Sequence, residues 1–394
     1  MLVRKALLLL ATACSTLSAP ILDKRQGGPT RGVSLGGWLV LEPWITPSIF
    51  QAYGPVGSIV DEYTLCQNDP NAGSVLQAHW SSWVTLGDFQ KIASSGKGIN
   101  TVRIPIGYWA FQKYGNDPYV QGAKEYLARA LDWASQTGLK VWIDLHGAPL
   151  SQNGFDNSGQ RTSSPQWTSG DTIGFTAGVL GQIAQEFGNH PAVSGVQLLN
   201  EPLTGSLPGG RAALENYYNQ AYGAVRSSTG APVVISDGFA APSSWNGIIP
   251  DSIIDHHEYQ VFSNGDVAMT AQQHVDQAYA RAASWGQSDR TLICGEWTAA
   301  MTDCAAALNG YGIGARYDGT YSKPGETSYY VGSCATKNFI DQWDQGMKDT
   351  TRNYIQAQIN AFEQHSQGWI FWNFKTEASA EWDFFRLLDN GVWP

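Results

Sequence analysis

Two glutamates hold positions from which a carboxylate could do chemistry. Glu201 lies in VQLLNEPL (196–203) and Glu296 in TLICGEW (291–297). Each closes an apolar run that reads as a buried strand, and Pro202 stops the first of them. A carboxylate there either opens a solvated loop or points into a cleft. Two such groups facing each other can cleave an acetal. One protonates the leaving oxygen, while the other attacks or assists at the carbon from the opposite side. Other strand ends carry Arg103, His146, Asn200, His257, Tyr259 and Trp372. Arg103 can keep Glu296 ionised, Tyr259 can donate a hydrogen bond to it, and Asn200 can bond a hydroxyl beside Glu201. A Glu–Arg ion pair closing the structure is the competing reading. So many polar groups would cost several kcal/mol each to bury unpaired, which favours a working cluster.

The elements that must position these residues are short apolar runs separated by longer amphipathic stretches. The runs are GVSLGGW (32–38), TVRIPIG (101–107), KVWIDLHG (140–147), VSGVQLLN (193–200), PVVISDG (232–238), IIDHHEY (253–259), TLICGEW (291–297) and GWIFWNF (368–374). In KEYLARALDWASQTG, Tyr126, Leu127, Ala130, Leu131 and Ala134 form a helical stripe that Gly138 ends. Strand and helix alternate without a linker or repeat. Eight βα units predict a single (β/α)8 TIM barrel with elaborated βα loops. Two doubly wound domains are the alternative, but no G-x-G-x-x-G follows any strand. In a barrel, strands four and seven lie almost opposite each other, with Glu201 and Glu296 at the mouth.

The N-terminus begins with Arg4 and Lys5, an apolar run, then small residues. It reads as a signal peptide over 1–18, and 19–25 as a short propeptide ending in Lys24-Arg25, with the catalytic domain at 26–394. Processing takes the formal charge from −10 to −13, by loss of Arg4, Lys5, Lys24, Arg25 and Asp23. So acidic a chain suits neither nucleic acid nor an anionic membrane, whereas a neutral polysaccharide fits. The 16 tryptophans suggest sugar surfaces, although a barrel's helical shell could absorb them. Four cysteines remain after processing, and secretion makes disulfides plausible. No Cys/His cluster suggests a metal, and no Asn-x-Ser/Thr sequon occurs.

The stretches GVSLGGWLVLEPWITPSIF, VRIPIGYWA, VWIDLHGAPLSQNGFDNSG, LLNEP, DHHEYQVF, GEWTAAMTDC, LNGYGIGARYDGTY and GWIFWNFKTEASAEWDF resemble the fungal exo-β-1,3-glucanases of glycoside hydrolase family 5. The resemblance runs from about Arg31 to the end. It implies a retaining enzyme with Glu201 as acid/base and Glu296 as nucleophile. Arg103, His146, Asn200, His257, Tyr259 and Trp372 would line the subsite for the terminal glucose. Glu42 would bind its hydroxyls and close the pocket at one end. Phe155 and Phe262 would form an aromatic gate, with Asp156 and Asn157 beside it. Cys304 and Cys334 match a disulfide pair. The implied partner is a β-glucan polysaccharide or oligosaccharide, with no cofactor or metal. The expected protein is a secreted monomer, extracellular or in the cell wall.

Two departures from the family pattern stand out. Leu150 occupies a position where HGAPGSQNG has glycine, and the family continues past the NGVWP terminus. The pairing of Cys66 and Cys294 stays open. Relatives acting on β-1,6-glucan, a glucolipid or a rutinoside-type glycoside would share both glutamates and differ in loops. A non-catalytic carbohydrate-binding cell-wall protein would be expected to have lost one of them. An esterase would need a G-x-S-x-G elbow, which does not occur.

Overall fold

Eight parallel strands close into a barrel in chain order: β1 Thr30–Ser34, β2 Thr101–Gly107, β3 Lys140–Gly147, β4 Val193–Gln197, β5 Val233–Ser236, β6 Ser252–Glu258, β7 Leu292–Trp297 and β8 Gly368–Phe371. The structure, a computed structural model, describes residues 28–54 and 57–394. The signal peptide and propeptide expected at 1–18 and 19–25 lie outside the described residues. All eight apolar runs supply a strand. The runs at 32–38, 193–200 and 368–374 overshoot their strands because the chain stays buried after regular pairing stops. Pairing fades gradually: Leu198 N still donates to Val234 O and Asn200 N to Leu145 O, both at 2.9 Å.

The expected helix forms at Ala123–Thr137, buries the predicted stripe and ends at Gly138 with φ +76°. The alternation has one gap. Between β5 and β6 the chain makes only the 3-10 turn Pro242–Trp245. Pro242, Gly247 and Pro250 break any longer helix there. Among the described residues, no helix is long and apolar enough to cross a membrane.

The barrel interior is stacked in layers. Its lower layer is apolar, built from Trp142, Val234, Ile253, Ile293 and Ile370. Gly195 makes room for the Trp142 ring, since a Cβ there would lie 2.4 Å from it. Above sits a fully buried polar layer of Arg103, Asp144, Gln197 and Asp255. Tryptophan usage is mostly structural. Fourteen of the 16 are buried, most of them in the shell between barrel and helices, and Trp83 and Trp133 are half-buried against it. The packing explanation therefore accounts for most of that surplus.

Candidate active site

Strand periodicity carries side chains from the polar layer to the mouth. Asp144 and His146 share one face of β3, and Asp255 and His257 share one face of β6. In β7 the register slips by one against β6, so that His256 pairs with Cys294 and His257 with Glu296. Gly295 is the extra residue of this bulge, which turns Glu296 inward. Glu201 follows β4 with φ +46°, immediately before Pro202. Left-handed backbone at a non-glycine residue is costly, and such strain concentrates at functional sites.

An oxygen of Glu201 and one of Glu296 lie within 4.8 Å of each other, with His257 between them. His257 Nδ1 is 2.8 Å from Glu201 Oε1 and 3.3 Å from Glu296 Oε2. Asn157 Nδ2 donates to Glu201 Oε2 at 3.0 Å. Glu296 accepts from Arg103 Nη1 at 2.7 Å and from the Tyr259 hydroxyl at 2.8 Å. Arg103 also donates to Asn200 Oδ1 at 2.7 Å and to Gln197 Oε1 at 3.0 Å. The His146 ring lies parallel to Trp372, with centroids 5.6 Å apart.

Electrostatics divide the two acids. Burial raises the Glu296 carboxyl above its ordinary value, with the His257 and Arg103 charges opposing. Three donors facing its oxygens favour the carboxylate. For Glu201, burial is outweighed by the hydrogen bond and charge of His257, and the group is held below its ordinary value. His257 would be lowered by burial, but the charges of Glu296 and Asp255 and its hydrogen bonds push it well up.

Glu42 is buried, accepts from Trp44 Nε1 at 2.9 Å through Oε2, and leaves Oε1 without a partner. Burial and the neighbouring Asp156 push its carboxyl well up. Asp156 is buried too, with Oδ2 unpartnered and its pKa raised to about 7 by burial and then by Asp61. Buried, unsatisfied acceptors of this kind suit ligand hydroxyls. Phe155 and Phe262 are 40% and 44% exposed, large for aromatic rings, and Phe262 packs 5.5 Å from Tyr259. Phe239, in the loop after β5, is a further exposed aromatic on the same face of the barrel that sequence reasoning passed over.

Sequence reasoning also missed Asp144, Gln197, Asp255 and Gln152. A signal for two of them was present, since an aspartate stands two residues before each strand-end histidine, in DLH and DHH. Gln152 donates to His146 O at 2.8 Å and Asn200 O at 3.0 Å, clamping the ends of β3 and β4 together. Cys304 and Cys334 are disulfide-bonded, whereas Cys66 and Cys294 are free thiols. Among the described residues, Glu201, His257 and Glu296 form the group that could hold a metal ion. Both His257 nitrogens already face carboxylates, Nε2 being 3.0 Å from Asp255 Oδ2, so the ring has no free lone pair to offer.

A closed parallel barrel with two buried acids at its C-terminal mouth defines the class of (β/α)8 enzymes that work on ligands held by their βα loops. The family model described as cellulase (glycosyl hydrolase family 5) matches residues 70–312. The chain is 46% identical over 383 residues to glucan 1,3-beta-glucosidase 2 of Wickerhamomyces anomalus, covering 94% of this chain and 88% of that one. It is 43% identical to glucan 1,3-beta-glucosidase of Blumeria graminis, covering 100% and 95%. Among solved structures, rutinosidase from Aspergillus niger superposes with a TM-score of 0.73 at 22% identity, over 95% of this chain and 100% of that one, a likeness of fold. The chain belongs to glycosyl hydrolase family 5.

Proposed function

We propose that the protein is a secreted, monomeric exo-β-1,3-glucanase that releases glucose from non-reducing chain ends with retention of configuration. The observation that carries the retaining mechanism is the approach of Glu201 and Glu296 to within 4.8 Å. Retaining enzymes hold their carboxyl groups about 5–5.5 Å apart, whereas inverting enzymes need about 6.5–9.5 Å to admit a water. Glu296, fixed by Arg103 and Tyr259, is the nucleophile. It forms a glycosyl ester as Glu201 protonates the departing glucosidic oxygen, and Glu201 then takes a proton from the incoming water.

The β-1,3-glucan substrate is supported by the glucan 1,3-beta-glucosidases that the chain matches over nearly its whole length. Exo action is supported by Glu42 and Asp156, whose free oxygens await the hydroxyls of a terminal sugar. Exposed Phe155 and Phe262 offer flat faces to the next residue of the chain. The Cys304–Cys334 disulfide suits an oxidising compartment.

The test is a time course of laminarin digestion with early products resolved by size and anomer. β-Glucose alone from the first time point is the expected result. Oligosaccharides first would replace exo with endo action, α-glucose first would overturn retention, and no product would turn attention to rutinoside-type glycosides.

A further inference from the structure

Glu201 as a general acid must carry a proton, yet in the resting site His257 holds it below its ordinary value. His257 Nδ1, 2.8 Å from Glu201 Oε1, is the group placed to hold that proton. The ring has a carboxylate on each side, with Nδ1 facing Glu201 and Glu296 and Nε2 facing Asp255. Even with the proton on Glu201, a bare Nδ1 would lie 3.3 Å from the ionised nucleophile Glu296, whereas a ring carrying both protons satisfies the contacts at Nδ1 and Nε2 alike. Asp255 is itself fully buried and locked in place. Its Oδ2 accepts from Gln197 Nε2 at 2.6 Å and lies 3.6 Å from Arg103 Nη2. Of the two acids in the polar layer, Asp144 faces His146 and Asp255 faces His257.

We propose that Asp255 is a positioning residue that anchors the Nε2 proton of His257, so that the Nδ1 proton is the one passed to Glu201 and on to the leaving group. This rests on the acid/base reading of Glu201 given above. The transfer is coupled to the chemistry. As Glu296 bonds to the anomeric carbon its negative charge is consumed, and that charge is the foremost attraction keeping His257 protonated. The Nδ1 proton moves to the Glu201 carboxylate, Glu201 delivers it to the glucosidic oxygen as the bond breaks, and His257 is left neutral with Nε2–H on Asp255. In the second half, water attacks the glycosyl ester and its proton passes through Glu201 to Nδ1 as the Glu296 charge returns. The charged and titratable groups packed around this relay are Arg103 from β2, Asp144 and His146 from β3, Glu201 after β4, Asp255 and Tyr259 of the β6 segment, and Glu296 from β7.

The test is Asp255→Asn, which keeps shape and removes charge. On laminaritriose the alkaline limb of the kcat/KM profile should move down by about one pH unit, a roughly tenfold loss above that limb. A 2,4-dinitrophenyl β-glucoside, whose leaving group needs no proton, should lose far less. Equal losses on both substrates at all pH values, or an unmoved limb, would overturn the proposal. The wild-type protein supplies a second measurement that does not depend on the variant folding. With 15N-labelled histidine, Nε2 of His257 should stay protonated throughout the stable pH range, and a deprotonated Nε2 would sink the relay. Glu201→Gln keeping full activity on laminaritriose would instead remove the acid/base reading itself. An inactive Glu201→Gln beside a wild-type-like Asp255→Asn would remove the relay alone.

Discussion

Gly295 and Asp255 meet so closely across the β6–β7 pair that a Cβ on Gly295 would lie 1.7 Å from Asp255 Oδ1. The bulge that aims Glu296 and the acid that supports His257 therefore share one small space. Gly295→Ala should cost about 1–3 kcal/mol by overpacking, read by chemical denaturation. It should cost laminarin hydrolysis more than the folded fraction explains, because it displaces Asp255 and Glu296 together. Wild-type stability and activity would show that the bulge tolerates a side chain.

Glu296→Gln removes the charge and keeps the shape. Turnover should be abolished while laminari-oligosaccharide binding, measured by calorimetry, changes little. Glu201→Gln should lower laminarin turnover on the order of 10²–10⁴-fold. Unimpaired hydrolysis by Glu296→Gln would remove the nucleophile assignment.

Leu150 and Ser151 both have left-handed backbone, with φ +61° and +62°. This explains why glycine suits position 150, since a side chain there costs about 1–2 kcal/mol. Part of the relief is offset by the freedom glycine adds to the unfolded chain, about 0.5–1 kcal/mol. Leu150→Gly should still raise stability by about 0.5–1 kcal/mol, and Leu150→Ala should not. A thermal melt in which Ala matches or exceeds Gly would refute the backbone explanation.

Asp156 gives the protein a pH-dependent weakness. Its pKa is raised to about 7 in the folded state, above the ordinary value of 3.8. Between those values the unfolded chain releases a proton that the folded chain keeps, so this group's contribution to stability falls as pH rises from about 4 to 7. Asp156→Asn should therefore stabilise the protein at pH 8 by about 2–4 kcal/mol and change little at pH 4. Equal shifts at both pH values would contradict the burial argument.

The Cys304–Cys334 bond closes a loop with a sequence separation of 30 in the long segment after β7. Replacing both cysteines with serine should lower stability by about 3–4 kcal/mol if chain entropy sets the scale. Free Cys66 and Cys294 have thiols pushed up by burial, Cys66 to about 12, and should react slowly with alkylating reagents in the folded state. Rapid modification of either at neutral pH would contradict that burial.

The barrel and much of its mouth were legible in the sequence. The strands β2 and β3 coincide with the apolar runs at 101–107 and 140–147, because strands covered on both faces must be apolar nearly throughout. The same rule places Glu201, Glu296, His146 and His257 at strand ends, since a polar residue closing such a run has few other places to go. Residue type alone also anticipated that Arg103 and Tyr259 would hydrogen-bond Glu296. Three-dimensional pairing decided the rest. Apolarity reports burial and says nothing of where hydrogen bonding stops, so strand ends were overrun and the missing helix between β5 and β6 was not seen. Asp144, Gln197 and Asp255 lie inside runs that look like core, and their polar partners come from other strands. Which proton His257 holds, and which acid it serves, depends on distances of about 3 Å between segments far apart in the chain. Only closing the barrel sets those distances.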